Sequence, residues 1–324
     1  MMKLFAYITH RDGTADDSAQ ELAAAAAQIA PGEAVTAIVT GSGEDLQTVC
    51  DQITSSFSEV IKVDSSELGY PNGELIRKVL TNLLPENAGI LIAHNTFGMD
   101  LGPGLSIKLG SIFLADVVGI DKIDGDQLTV VRQEFGGQVS THVQCSLAAG
   151  AVINIRPGSF AADENAAAGG SVTDRSGDAG DLTSGRKFLE LVEAEVGDVD
   201  ITKEDVLIAV GRGIEDEDNL EIVEELAEAM GAAVACSRPV VDAKWLEKSR
   251  QVGTSGLTVK PKVYLACGIS GSFQHMGGIK GNPFVVAINK NPKAPIFQVA
   301  DVGIVTDILD FLPELTEKIE EISS

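Results

Sequence analysis

The sequence predicts an α/β protein of two domains, each a mostly parallel sheet flanked by helices. Three observations predict it. Apolar, β-branched runs alternate with stretches of helical period along both halves of the chain. The chain has 324 residues, about twice a common domain length. Between the halves, residues 158–185 (GSFAADENAAAGGSVTDRSGDAGDLTSG) are dominated by Gly, Ala, Ser and Asp and keep no apolar period. We therefore place an amino-terminal α/β domain at 1–190, ending in that stretch as a mobile connector, and a second domain at 191–324. A short stretch near Val196 to Asp200 is the other place where a rotation between them could be absorbed.

In the first half KLFAYIT reads as a strand and DSAQELAAAAAQIA as a helix. EAVTAIVTG, EDLQTVCDQITSSF and EVIKVD repeat strand, helix, strand, and NGELIRKVLTNLLPE and GILIAHN continue the rhythm. Asp16 or Asp17, and Glu44 or Asp45, put capping or acidic groups in the first helical turns, where free N–H groups and the positive dipole end meet them. From Ser111 to Cys145 the period changes to strand-like runs broken by turn signals, DKIDGDQLTVV and then EFGGQVSTHVQC. This predicts hairpins added to an otherwise parallel sheet. AVINIRP closes the domain as a further strand. After the connector, KFLELVEAEV reads as a helix, DVLIAVGRGI as a strand, DNLEIVEELAEAMG as an acidic helix and AAVACS as a strand. VYLACGIS, FVVAINK and the shorter FQVADVGIV are three more strand candidates. The leucines and isoleucines of ILDFLPELTEKIEEI recur at helical spacing, as in a packing helix.

Lys plus Arg number 24 and Asp plus Glu 48, a net charge of −24. Such a charge repels phosphate backbones and anionic bilayers, so neither nucleic acid nor membrane insertion is expected. Solubility accounts for the acidity better than an acidic docking face for a basic partner. With 44% hydrophobic and 22% charged residues and a mean hydropathy of +0.14, the chain has ample apolar material for burial. The opening MMKLFAYITHRDG has no basic segment followed by a long apolar run, and no later stretch approaches the roughly 20 apolar residues of a membrane span. A cytoplasmic protein is expected. Cys50, Cys145, Cys236 and Cys267 lie far apart without a CxxC pair and read as small buried residues, not as zinc or iron–sulfur ligands. The four histidines are equally scattered, and HExxH, GxSxG and GxxxxGKS are absent, which removes the main hydrolase and P-loop readings and any expected metal.

The chemistry-bearing segments lie in the second half. Arg212 in VGRGI follows one strand, Ser237 and Arg238 in CSRPVVD another, and Ser270 to His275 in GISGSFQH a third. In a doubly wound sheet such strand ends converge on one crevice. Glycines there let the backbone approach a pyrophosphate, and two guanidinium forks suit an anionic ligand. VGRGIEDED is only a partial GxGxxG loop, lacking the last glycine.

From Ser237 onward the sequence resembles the carboxy-terminal FAD domain of the electron transfer flavoprotein alpha subunit. SRPVVD, QVG followed by a hydroxyl residue and Gly256, GISG with QH, INKNPKAPIF and ADVGIVTD stand in the family's order. The first half is similar to the family's amino-terminal domain more loosely, through its α/β pattern, TFGMDLGPGLSIKLG and the strand before RPGSF. The resemblance implies a Rossmann-like FAD-binding domain, a heterodimer with a beta subunit, and electron shuttling between a flavin dehydrogenase, such as an acyl-CoA dehydrogenase, and a further acceptor. Some family members bifurcate electrons with a second flavin, and the chain leaves the subtype open.

Carried over residue by residue, the resemblance puts Arg238 beside the isoalloxazine, where its charge favours the reduced ring. His275 becomes a donor to the ring carbonyl between the two nitrogens. Gln251, Val252, Gly253, Thr254 and Ser255 stand where family members usually carry QVGQT, with Ser255 supplying the hydroxyl for the flavin N5 and Thr254 in place of a glutamine. Ser270, Gly271, Ser272, Phe273, Gln274 and His275 correspond to the loop around the ribityl chain and pyrophosphate. Arg212 and Ser237 correspond to diphosphate contacts, and Asn289, Asp307 and Ile308 to the adenosine side. A non-redox nucleotide-binding or regulatory module on the same fold is the alternative, since a fold does not fix a function.

Overall fold

The computed structural model describes residues 2–135, 139–161, 169–190 and 199–323. The chain falls into two compact units, Met1–Glu190 and Leu191–Ser324.

In the first unit the elements run β1 (Leu4–Ile8), a small hairpin of β2 (His10–Arg11) and β3 (Thr14–Ala15), α1 (Ser18–Ile29), β4 (Thr36–Gly41), α2 (Glu44–Ile53) and β5 (Glu59–Asp64). They continue with α3 (Gly73–Leu83), β6 (Gly89–Ala93), α4 (Thr96–Leu109), β7 (Ile112–Asp124), β8 (Gln127–Glu134), β9 (Val139–Ser146), β10 (Ala151–Ile155) and β11 (Ser171–Asp174). Nine strands form one sheet in the order β11-β5-β4-β1-β6-β10-β7-β8-β9. It is parallel from β11 to β7 and antiparallel through β8 and β9. The period of two in β1 sends Leu4, Ala6 and Ile8 to the face covered by α1 and α2, and Phe5 and Tyr7 to the face covered by α3 and α4. On α1, Leu22, Ala25, Ala26 and Ile29 recur at helical spacing and are buried against the first of these faces. The predicted hairpin turns at Gly125–Asp126, where Gly125 has φ +63 and Asp124 pairs with Gln127.

Two readings need correction here. Part of the stretch expected as a connector is sheet: Ser171–Asp174 is β11, an edge strand paired in parallel with β5. Its hold is backbone pairing, not an apolar period, and the glycine before it is a contact residue. A Cβ on Gly170 would lie 1.9 Å from the Phe57 carbonyl oxygen. Further along, Lys78 Nζ donates to the Thr183 carbonyl at 2.7 Å and Arg186 Nη1 to Asp100 at 2.7 Å, tying residues 169–186 to α3 and α4. The helix expected over KFLELVEAEV is not formed at Lys187–Glu190, and its remainder lies outside the described residues, as does most of Val196 to Asp200. Leu189 is 88% exposed, so a helix there would have no face to bury, and Phe188 instead stacks on Tyr70 at 4.2 Å.

The second unit holds a parallel five-stranded sheet of β12 (Val206–Val210), β13 (Ala233–Cys236), β14 (Val263–Cys267), β15 (Phe284–Ile288) and β16 (Val302–Ile304), in the order β13-β12-β14-β15-β16. Its helices are α5 (Leu220–Met230), α6 (Arg238–Asp242), α7 (Phe273–Met276) and α8 (Ile308–Ser323). One sheet face is covered by α5 and α8 through Leu220, Val223, Leu226, Ile308 and Leu312. The other is covered largely by irregular chain, through Val252, Val259, Ile269, Ala294 and Ile296. FQVADVGIV is a strand only at Val302–Ile304, because Pro295–Gln298 turns as a 3₁₀ helix with a proline that cannot donate to a ladder. Among the described residues no helix is long and apolar enough to cross a membrane. Cys50, Cys236 and Cys267 are buried, and Cys145 is half-buried.

Candidate functional site

Because every strand of the second sheet is parallel, their carboxyl ends share one edge: Val210 pairs with both Cys236 and Cys267, Cys267 with Ile288, and Ile288 with Ile304. Strand order reverses direction around β12, with β13 on one side and β14 on the other, and a crevice opens outside such a point. The residues that follow these ends are Gly211 and Arg212, Ser237 and Arg238, Gly268 to Ser270, Asn289, and Thr306 to Ile308.

The floor is backbone against backbone. Gly211 N–H donates to the Cys267 carbonyl at 2.8 Å and Gly213 N–H to the Gly268 carbonyl at 3.1 Å. A Cβ on Gly211 would lie 2.4 Å from the Gly268 oxygen, and one on Gly213 2.7 Å from the Gly268 Cα. Gly268 itself has φ +65. Asn289 Nδ2 ties the loop after β15 to the Ile269 carbonyl at 2.8 Å, and Asp307 Oδ1 accepts from the Leu309 N–H at 3.1 Å, capping α8. Ile308 is buried beneath Gly268.

A second wall joins Gln251–Ser255 to the 272–278 turn. Val252 N–H donates to the Cys236 carbonyl at 2.9 Å, and Thr254 N–H to the Gln274 carbonyl at 2.8 Å. A Cβ on Gly253, at φ +139, would meet that same oxygen at 2.9 Å. Buried Gln251 donates from Nε2 to Ser255 Oγ at 2.9 Å, which occupies a lone pair and leaves the exposed hydroxyl hydrogen free to donate outward. Gly271, at φ +79, lets the GISG loop meet Ile296, whose N–H donates to the Ser270 carbonyl at 3.0 Å. Ser272 caps α7, while Phe273 and Gln274 are exposed on it.

The two arginines at this edge are loosely held. Arg212 is exposed and forms no ion pair among the described residues. Arg238, 68% exposed, pairs with Asp242 at 3.3 Å, a contact that solvent screens and a stronger anion can displace. Ser237 is buried as the residue before α6 and does not cap it with its side chain. His275, 5% exposed, has Nε2 2.8 Å from the Tyr264 hydroxyl, and its Nδ1 has no hydrogen-bond partner among the described residues. Burial pushes its pKa down to about 4 against a smaller opposing pull from the Val252 carbonyl, so the ring is neutral near neutral pH.

The structure thus places the sequence-derived candidates at one carboxyl edge and on the wall of Gln251–Ser255 and 272–278, and it adds Tyr264, which no motif announced. The only signal was a tyrosine in an apolar strand, since a buried phenol needs a partner. FAD fits the residues present. A glycine floor admits a diphosphate, Arg212 forms no ion pair among the described residues and Arg238 only an exposed one with Asp242, and His275 Nδ1 has no partner among the described residues.

Comparison with known proteins bears on which ligand that is. The family model described as the electron transfer flavoprotein FAD-binding domain matches residues 200–280, and the one described as the electron transfer flavoprotein domain matches residues 4–179. Protein FixB of Clostridium saccharobutylicum is 33% identical over 99% of this chain and 97% of its own. Electron transfer flavoprotein subunit alpha of Megasphaera elsdenii is 34% identical over 90% of this chain and 87% of its own. The LctC subunit of an Acetobacterium woodii lactate dehydrogenase (NAD(+),ferredoxin) is 30% identical over 97% of this chain and 76% of its own.

Proposed function

Given that the chain belongs to the electron transfer flavoprotein alpha-subunit family, we propose that the crevice of its second unit holds FAD as an electron carrier between a flavin dehydrogenase, such as an acyl-CoA dehydrogenase, and a further acceptor. The observation that carries this reading is the joint placement of the glycine floor, two loosely held arginines and the orphaned His275 nitrogen at one carboxyl edge. FAD supplies one- and two-electron redox chemistry when bound. In this reading Arg212, Ser237 and the Ser270–His275 loop hold the diphosphate and ribityl chain, and Asn289, Asp307 and Ile308 bound the adenosine. Arg238 sets positive charge beside the ring. His275 and Ser255 each direct a neutral hydrogen bond at it. As an alpha subunit the chain works with a beta subunit, and its four free cysteines suit a reducing cytoplasm.

A second reading, bifurcation of electrons with a second flavin, draws on the Acetobacterium woodii relative, whose name joins NAD(+) and ferredoxin. Co-purification with the beta subunit tests both. A yellow heterodimer with one FAD, reduced reversibly by a flavin dehydrogenase, supports the carrier, and two FAD with NAD-linked ferredoxin reduction supports bifurcation. A protein that binds adenine nucleotides but no flavin would overturn both in favour of a non-redox module.

A further inference from the structure

Tyr264 and His275 form a buried pair whose donors can be counted. Tyr264 lies on β14 with no exposed surface, and its hydroxyl meets His275 Nε2 at 2.8 Å. Among the described residues that hydroxyl has no other hydrogen-bond partner, and His275 Nδ1 has none. The count separates the two neutral tautomers. With the proton on Nε2, the imidazole donates to the tyrosine oxygen and the phenolic hydrogen stays buried without an acceptor. With the proton on Nδ1, the phenol donates to Nε2 and its hydrogen is used. Each arrangement leaves one hydrogen over: the first strands the phenolic hydrogen, which has no other acceptor among the described residues, and the second leaves Nδ1–H, which a ligand in the crevice can take up. The doubly protonated ring, to which the phenol could only accept, is excluded near neutral pH because burial depresses its pKa. The Val252 backbone pulls the ring toward protonation, the smaller of the two influences, and among the described residues Nδ1 has no hydrogen-bond partner. His275 is packed against the wall that carries Ser255, with its Cα 3.4 Å from where a Cβ on Gly253 would be.

Resting on the reading that FAD fills this crevice, we propose that Tyr264 is a positioning residue. By donating to Nε2 it fixes neutral His275 with its proton on Nδ1 and reserves that N–H for the flavin ring. Tyrosine suits this position better than a carboxylate would. A carboxylate could only accept at Nε2 and would force the proton onto that nitrogen, whereas a phenol can donate. His275 then offers the cofactor a dipole whose strength does not change across neutral pH.

The test uses the full chain assembled with its beta subunit, labelled with ¹⁵N-histidine and titrated with FAD. The wild type is expected to show His275 as a single Nδ1–H tautomer from about pH 6 to 8. Tyr264→Phe, which keeps the ring volume, should give a mixture of tautomers and raise the FAD dissociation constant roughly three- to tenfold, the size of one neutral hydrogen bond. A wild-type Nε2–H tautomer overturns the proposal. So does a Tyr264→Phe protein that keeps the Nδ1–H tautomer, because any loss of FAD would then be a packing effect. Should Tyr264→Phe fail to fold, the wild-type spectrum still decides the proton's place. A wild-type heterodimer that takes up no FAD sinks the cofactor reading and this role with it, and that is seen before any variant is made.

Discussion

At the carboxyl edge of the first sheet, side chains occupy the space the loops leave. His10 lies over Gly41, where a Cβ would meet its Nε2 at 2.9 Å, and that nitrogen bonds the Thr40 carbonyl at 3.0 Å. Tyr7 meets Thr40 Oγ1 at 2.8 Å. After β10, Arg156 grips Asp116 through Nε at 2.7 Å and Nη2 at 2.5 Å, holding an aspartate whose backbone is left-handed at φ +58, with His94 3.8 Å away. At the corresponding edge of the second sheet the close contacts are glycine to glycine, and the cations are exposed. Parallel sheets thus end in a filled edge or an open one according to whether polar side chains find partners within the chain. The open one is where a ligand is to be sought.

That contrast can be broken in a graded series. The largest effect is expected at Gly211: valine there drives a side chain into the Gly268 carbonyl, should cost about 3 kcal/mol of stability by urea unfolding and should abolish FAD uptake. Gly41→Ala meets only the movable ends of His10 and Leu46, so it should cost less and leave FAD bound. If the two glycines respond alike, the edges do not differ in this way.

His275 comes next. Its folded pKa, about 4, lies below the ordinary 6.5, so between those values the unfolded chain binds a proton that the folded one refuses. Stability is therefore full above about pH 6.5 and lost as pH falls toward 4, by up to roughly 3 kcal/mol in the FAD-free protein. His275→Gln should flatten that slope in pH-dependent unfolding, and an unchanged slope would show that another group causes it.

In the filled edge, Asp116 is raised by burial, but the hydrogen bonds and charge of Arg156 outweigh this and hold the carboxyl below its ordinary 3.8. The stability it contributes is present above that value and lost as pH falls through the depressed one. Arg156→Ala should remove it and cost about 2 kcal/mol at neutral pH, with FAD affinity unchanged by titration. At the open edge, Arg238→Ala should barely move unfolding yet lower the flavin's reduction potential, read by potentiometry, because a nearby positive charge acts on the electrons added. An unchanged potential would remove Arg238 from the ring.

The smallest effects fall at the wall. Ser255→Ala should shift the potential by the equivalent of about 0.5–1.5 kcal/mol, and Ser255→Thr should be nearly silent. A parent-like spectrum and potential in Ser255→Ala, with Thr254→Ala carrying the effect, would move the N5 contact one residue back.

How much of this was legible follows from range. The period of β1 and the turn at Gly125 are local signals, and so is the α8 face, so the sheets could be read from sequence. β11 could not, because an edge strand of Ser, Val, Thr and Asp is held by backbone pairing and by a missing Cβ at Gly170, neither of which leaves an apolar mark. Lys187–Glu190 carried helical spacing without a face to bury. In the site, the resemblance supplied Arg238 and His275. The Tyr264 and Gln251 hydrogen bonds that orient their neighbours depend on strand, loop and turn meeting in three dimensions.

The glycine floor also bears on how such a protein can change over time. Gly211, Gly213 and Gly268 touch backbone to backbone, so nearly any substitution among them trades the whole crevice for a new side chain. Variation is then tolerable only at the rim. Thr254, Ser255, Phe273 and Gln274 are all exposed there. A lineage adjusting its flavin to new electron donors would have the rim to work with and the floor as inheritance.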